Sequence, residues 1–111
     1  MGAIMKNVST KEIAPLAATG EAKVIQLQNI RDKYKGDSSA VQRTRLLEAL
    51  RLYSLSTLEI RRYLDILHPA GRVQELREEG GDIQTLRQME FSDAGLPHNV
   101  ARYVLTPNGG N

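Results

Sequence analysis

The sequence predicts a mainly α-helical α+β fold in which a three-helix core is followed by a β-hairpin. Two observations support this prediction. Apolar residues recur at helical spacing between residues 39 and 79, and the pattern changes to the alternation typical of β-strands after Gly80 and Gly81. The length of 111 residues suits one such domain with a partly ordered N-terminal extension.

The composition excludes several classes of protein. The sequence contains no cysteine, which rules out disulfides and thiolate metal sites and fits a reducing cytoplasm. No apolar run approaches the roughly 20 residues that span a bilayer, and the N-terminal residues lack the apolar core of a signal peptide. We therefore expect a cytoplasmic protein that needs no cofactor and has no membrane partner.

The basic residues are unevenly distributed along the chain. The net charge is only +2, but residues 40–80 contain seven arginines and no lysine. Arginine binds phosphate groups and guanine edges with two parallel hydrogen bonds, which lysine cannot do. Taken alone, the pattern favours a simpler interpretation, in which the arginines lie on solvated helix faces and pair with glutamates. Those glutamates are Glu48, Glu59, Glu75 and Glu78.

Residues 1–38 are predicted to form an N-terminal arm that is partly disordered. A helix is the preferred interpretation of residues 21–35, because apolar side chains recur there three residues apart. These side chains are Val24, Leu27 and Ile30. The β-branched residues of this segment would also suit a strand. Gly36–Ser39 then provides a linker and helix-capping side chains.

Three helices are predicted in the central part of the chain. The first covers residues 40–53, where apolar side chains share one broad face. The second is about eight residues long and opens with a capping box formed by Ser56 and Glu59. The third covers residues 68–79, with a proline in its first turn, and the glycines that follow allow a left-handed turn that ends it.

A β-hairpin is predicted after the third helix. Residues 83–91 alternate in character, and a second alternating run covers residues 100–105. The segment "SDAGLP" between them contains a glycine and a proline and is typical of a turn. Residues 108–111 are expected to form a disordered tail.

The predicted core is small, because a domain of this size buries only about two-thirds of the surface of its unfolded chain. The hairpin should cover its open edge with Ile83, Val100 and Val104, or with the residues that alternate with them. The helical part of the core should consist of Leu46, Leu47, Leu50, Leu58, Ile60, Leu64, Val73 and Leu76.

The order of these elements is that of a winged helix-turn-helix domain, with the second and third helices as the turn motif and the hairpin as the wing. The segments "TLEIRRYLDILHPAGRVQELREEG" and "VARYVL" also resemble a family of small winged helix-turn-helix domains that is common among phage and prophage proteins. The resemblance covers residues 42–107 of a predicted domain at residues 39–107. It implies binding of double-stranded DNA by a regulator of transcription or recombination in a bacterial or phage-infected cell.

Helix 68–79 and the 83–105 wing are therefore the expected DNA-binding elements. In a helix-turn-helix, the N-terminal half of the second helix of the motif lies in the major groove. Arg72 is the leading candidate for a base or phosphate contact, Gln74 suits adenine, and Glu75 suits the amine of cytosine. A glycine before Arg72 permits close approach of the backbone. The full set of predicted contact residues is His68, Gly71, Arg72, Gln74, Glu75, Arg61, Arg62, Arg87, Gln88 and His98.

Three carboxylates complicate this prediction. Glu75, Glu78 and Glu79 lie on or beside the exposed face of the third helix, where phosphate would repel them. A second hypothesis is therefore a protein-binding module, in which this acidic face binds and modulates a host or phage protein. The N-terminal segment is also a candidate for a homodimer contact, through Val24, Ile25, Leu27 and Ile30.

An enzyme is not expected. His68 and His98 have no carboxylate at a spacing typical of a catalytic dyad. Gly80 and Gly81 follow a helix, whereas a phosphate-binding glycine loop precedes one. The sequence also lacks a cluster of metal ligands at the usual spacings.

Overall fold

The computed structural model describes residues 20–107, in which four α-helices pack against one antiparallel sheet of three strands. The mixed α+β class is therefore confirmed. The predictions for residues 1–19 and 108–111 lie outside the described residues. The helices are α1 (Glu21–Lys33), α2 (Ser39–Leu52), α3 (Thr57–Leu64) and α4 (Pro69–Glu78), and the strands are β1 (Leu55–Ser56), β2 (Ile83–Phe91) and β3 (Pro97–Leu105).

Short polar side chains begin α2 and α3. The Ser38 hydroxyl accepts a hydrogen bond from the backbone N–H of Val41 at 3.1 Å, which satisfies a free donor in the first turn of α2. At the start of α3, the Ser56 hydroxyl accepts from the Glu59 N–H at 3.1 Å, and the Glu59 carboxylate accepts from the Ser56 N–H at 3.0 Å. The predicted capping box is confirmed.

The glycine pair ends α4 as predicted, one residue earlier than the sequence indicated. Gly80 has a φ of 104°, a conformation that residues with a Cβ rarely adopt. Its N–H donates to the Arg77 carbonyl at 3.0 Å, and the Gly81 N–H donates to the Leu76 carbonyl at 2.9 Å. These two bonds satisfy terminal carbonyls of the helix and set the direction in which β2 leaves it.

β3 lies in the centre of the sheet. It pairs with β2 along its full length, from Leu105 opposite Ile83 to Pro97 opposite Phe91. On its other side, Tyr103 lies opposite Leu55 of β1. The sequence predicted β1 only as a short extended segment. Two residues are too few to show the alternation of apolar and polar side chains that identifies a strand, so pairing with β3 was not predicted.

The core joins the helices to one face of the sheet. Six of the eight predicted helical core residues are buried, while Leu47 and Leu58 are only partly covered. Leu27 and Ile30 of α1 are also buried, although the predicted core began at α2. The buried apolar residues of the described chain are Leu27, Ile30, Leu46, Ala49, Leu50, Leu55, Ile60, Leu64, Ile66, Val73, Leu76, Ile83, Ala101 and Tyr103.

The hairpin covers the core with the alternate residues of its second strand. Ala101 and Tyr103 of β3 are buried, whereas Val100 and Val104 on the opposite face are only partly covered. Ile83 is buried on the same face as Tyr103, because residues opposite each other in an antiparallel pair share a face.

A buried ionic network connects the sheet to the helices. The Arg102 guanidinium donates to Glu90 of β2 at 3.0 Å and to Glu59 of α3 at 3.4 Å, and both carboxylates are almost fully buried. Lys23 of α1 lies 3.3 Å from the Glu59 carboxylate. The opposite charges and the hydrogen bonds between these side chains offset the free-energy cost of burying them. The same contacts hold the hairpin against α3.

We predict that Arg102→Met lowers the free energy of unfolding by about 3–5 kcal/mol, because it removes a partner from two buried carboxylates. Urea denaturation followed by circular dichroism measures this loss. The control is Arg87→Met on β2, an exposed arginine that makes one 3.3 Å contact with the Asn99 carbonyl. Its effect should stay within about 0.5 kcal/mol. Equal losses in the two variants would contradict a specific role of the network.

Candidate nucleic-acid interface

One side of α4 is buried and the opposite side is open to solvent. Pro69, Val73 and Leu76 pack into the protein. Helical geometry places Gly71, Gln74 and Glu78 on the side away from them, and Gln74 and Glu78 are exposed. Together with Ala70, which is also exposed, these three residues form the open face of α4.

The outer side of the first turn of α4 is open to solvent at His68 and Ala70. His68 precedes the helix, is exposed and makes no side-chain capping bond, while Pro69 occupies the first helical position. A Cβ added at Gly71 would lie 3.9 Å from the Cβ of His68, which is an ordinary contact. The fold therefore does not require a glycine at this position.

Arg72 is turned towards α2. Its Nη2 donates to Glu75 Oε2 at 3.1 Å, and its Nη1 lies 3.5 Å from the Gln42 amide oxygen. Its Nε lies 2.9 Å from Glu75 Oε1, but the angle at the N–H is not that of a hydrogen bond. The side chain is only 19% exposed, so the predicted base contact would require this ion pair to open.

Two of the three carboxylates near the open face are neutralised by arginine. Arg43 of α2 donates to Glu75 at 3.1 Å and lies 3.0 Å from the Glu79 carboxylate. Glu78 accepts only a weak hydrogen bond from Gln74, at 3.4 Å. Because paired charges largely cancel at a distance, most of the repulsion expected for phosphate is removed.

Three exposed arginines, one each on α3, α4 and β2, bond to neutral groups alone. Arg61 Nε donates to the Leu67 carbonyl at 3.2 Å, in the turn before α4. Arg77 donates to the Ile83 carbonyl at 2.7 Å and to the Thr85 hydroxyl at 2.8 Å. The third is Arg87, held by the Asn99 carbonyl. Within residues 20–107, none of the three pairs with a carboxylate.

Arg77 and Arg87 lie along the same side of the hairpin. Arg87 follows Thr85 by two residues in β2, so both side chains leave the same face of the strand, the one that Arg77 contacts. The predicted contact residues do not include Arg77, because a helix-turn-helix places the N-terminal half of this helix in the groove and Arg77 lies in the C-terminal half. Its position three residues after Gln74 was the one available signal.

Other predicted contact residues are engaged within the protein. Arg62 forms an ion pair with Asp93 of the hairpin loop and lies over the Tyr63 ring, 5.6 Å from its centre. Gln88 donates to Glu90 at 2.9 Å and accepts from Arg102 at 3.0 Å, so its amide belongs to the buried network.

The far end of the hairpin is apolar. Met89, Phe91 and Leu96 are exposed there, and residues 91–97 contain no lysine or arginine. His98, which is also exposed, lies opposite Glu90 in the strand pairing. Because Arg102 is paired with Glu59 and Glu90, Arg87 is the arginine of the hairpin whose charge stays unpaired.

Two helices joined by a tight turn, with an antiparallel hairpin beside the second, define the helix-turn-helix class of DNA-binding domains. The sequence profile of the winged helix-turn-helix domain matches residues 41–108, more than half of the chain. The chain therefore belongs to the winged helix-turn-helix domain family, and the domain indicates DNA as its partner. No curated protein and no solved structure gives a significant match.

The longest helix among residues 20–107 has 14 residues, and no helix of that part of the chain could span a bilayer. Residues 20–107 also contain no group of three histidine, aspartate or glutamate side chains placed to hold a metal ion.

The two glycines that flank α4 should respond in opposite ways to alanine. Gly71→Ala should raise the free energy of unfolding by about 0.5–1 kcal/mol, because alanine favours a helix and the added methyl group has room. Gly80→Ala should lower it by about 1–2 kcal/mol, because its φ of 104° brings a Cβ against the backbone. Thermal and urea unfolding measure both. A destabilising Gly71→Ala would show that the first turn of α4 is constrained.

Proposed function

We propose that this protein binds double-stranded DNA with the open face of α4 in the major groove and with the β2–β3 hairpin as the wing beside it. The observation that carries this proposal is that three exposed arginines, on α3 before the turn, on α4 itself and on the wing, have no carboxylate partner among residues 20–107: Arg61, Arg77 and Arg87. DNA presents phosphate charge on both sides of a groove, and unpaired guanidinium groups supply the complementary charge.

The shape of α4 fits this role. An α-helix with its side chains is about 10–12 Å across, and the major groove is about 12 Å wide, so a helix such as α4 can enter it. Ala70 and Gly71 are small, so the first turn can approach the bases closely. Gln74 is the one amide of the open face, and a glutamine amide can bond to two positions on adenine. Gln74 therefore takes the base-reading role, with its present bond to Glu78 exchanged for the base.

The remaining predicted contacts take supporting roles in this arrangement. The Arg72–Glu75 pair forms the flank of the interface towards α2, and His68 stands at the helix start, where it can meet a phosphate. Arg62 and Gln88 are held by protein groups and act through the position of the hairpin.

The charge distribution favours DNA over a basic protein partner. The alternative of a protein-binding module requires several free carboxylates on α4, but Arg43 and Arg72 together neutralise Glu75 and Glu79, which leaves Glu78 alone. The resemblance of the sequence to phage and prophage domains supports a role in regulating transcription or recombination in a bacterial or phage-infected cell.

Binding to a labelled mixed-sequence duplex of about two helical turns tests the proposal. Three phosphate contacts predict a slope of about −2.7 for log K against log salt, and Arg61→Ala and Arg87→Ala should each reduce its magnitude by about 1. The control is Arg51→Ala. Arg51 is an exposed arginine in the last turn of α2, about two turns away from Gln42 and Arg43, which contact α4 through their side chains. Absence of binding at low salt, or an equal effect of Arg51→Ala, would overturn the proposal.

Removal of the remaining unneutralised carboxylate of the open face should strengthen binding. Glu78→Gln deletes a charge that phosphate repels at close range, an effect of up to about 1 kcal/mol in water, or roughly fivefold in affinity. Fluorescence anisotropy with the same duplex measures it. Glu21→Gln, an equally exposed change at the start of α1, controls for net charge. The proposed orientation is wrong if the two variants gain affinity equally.

A further inference from the structure

Arg45 of α2 is a buried arginine that holds two other segments of the chain by their backbones. Only 2% of the surface of Arg45 is exposed to solvent. Nη1 donates to the Leu64 carbonyl at 2.6 Å, and Nη2 donates to the Gly36 carbonyl at 2.7 Å. One guanidinium thereby connects α2 to the end of α3 and to the loop between α1 and α2.

The charge of Arg45 has no carboxylate partner within residues 20–107. Asp65 contributes its backbone carbonyl, at 3.5 Å, and no side-chain oxygen. Asp32 lines the cleft beside Arg45, but a hydrogen bond from Arg31 engages its carboxylate and lowers its pKa. The compensation comes from backbone carbonyl groups, namely that of Gly36 and those of Leu64 and Asp65 at the C-terminus of α3, where the helix dipole is negative.

The segment that Arg45 holds is the turn between α3 and α4. Asp65 has a φ of 57°, the one positive value at a non-glycine residue in the described chain. Ile66 follows with its side chain fully buried, and Arg61 holds the next carbonyl, that of Leu67, at 3.2 Å. Arg45 therefore holds the backbone before the buried side chain of Ile66, and Arg61 holds the backbone after it.

We propose that Arg45 is the positioning residue of the DNA-binding surface, because it sets the angle at which α4 leaves α3. This inference rests on the proposed function. Gln74 lies five residues after Pro69, about 7.5 Å along the helix, so a change of 10° in the direction of α4 moves it by about 1.3 Å. A shift of that size would separate Gln74 from the base that it reads, since hydrogen bonds tolerate only a few tenths of an ångström.

The experiment compares Arg45→Met and Arg45→Lys with Leu46→Ala in the full chain. Leu46 is the matched control, because it is the adjacent residue, is fully buried, and contacts the apolar core. Two quantities are measured where each variant is folded by circular dichroism: amide hydrogen exchange along the chain, and affinity for the mixed-sequence duplex.

Arg45→Met should accelerate exchange most strongly at residues 65–73 and lower DNA affinity by a factor on the order of ten. Arg45→Lys keeps the charge but lacks the fork that reaches two carbonyls, so it should fall between the wild type and Arg45→Met. Leu46→Ala should accelerate exchange throughout the helices and bind DNA as the wild type does when folded.

Two results would overturn the inference. One is an Arg45→Met or Arg45→Lys protein whose exchange pattern matches that of Leu46→Ala. The other is unchanged DNA affinity in a folded Arg45→Met protein. If Arg45→Met does not fold, Arg45→Lys decides by the same two measurements. A wild-type chain that binds no duplex would defeat the proposed function, while the exchange pattern would still test the role of Arg45 in the turn.

Discussion

The Glu59 carboxylate receives hydrogen bonds from three elements of this fold. It accepts from the Ser56 N–H at the start of α3, from Lys23 of α1 and from Arg102 of β3. Because these donors lie on separate segments, the position of one buried side chain relates α1, α3 and the sheet to one another. The hairpin can therefore stand beside α4 in a defined orientation, although the two strands contribute few apolar side chains to the core.

Arginine has three different uses in this small domain. Buried guanidinium groups connect distant backbone and carboxylate groups, as in Arg45 and Arg102. Half-buried ones neutralise the acidic flank of α4, as in Arg43 and Arg72. Exposed ones bond to neutral carbonyls and retain their charge for a partner: Arg61, Arg77 and Arg87. The planar guanidinium with five donors explains why arginine replaces lysine throughout residues 40–80, since several of these positions require two bonds in different directions.

The sequence predicted the elements of the fold better than their packing. The capping box at Ser56 and Glu59 and the left-handed turn at Gly80 were predicted, since each depends on hydrogen bonds between residues at most five apart. The packing of α1 and the choice of the buried face of β3 were not, since both depend on which distant segment provides the partner. The apolar pattern of α1 was weak because only Leu27 and Ile30 reach the core.

The same distinction between local structure and packing applies to the candidate site. The sequence by itself determined that a short helix with an exposed polar face lies between a tight turn and a hairpin, because propensity, capping and periodicity act over a few residues. Only the tertiary structure decided which charges on that helix are free. Arg43 and Glu75 are 32 residues apart in the chain, and Arg62 and Asp93 are 31 apart. Ion pairs between such residues form only after packing has brought their helices and loops together, so local sequence patterns contain no information about them.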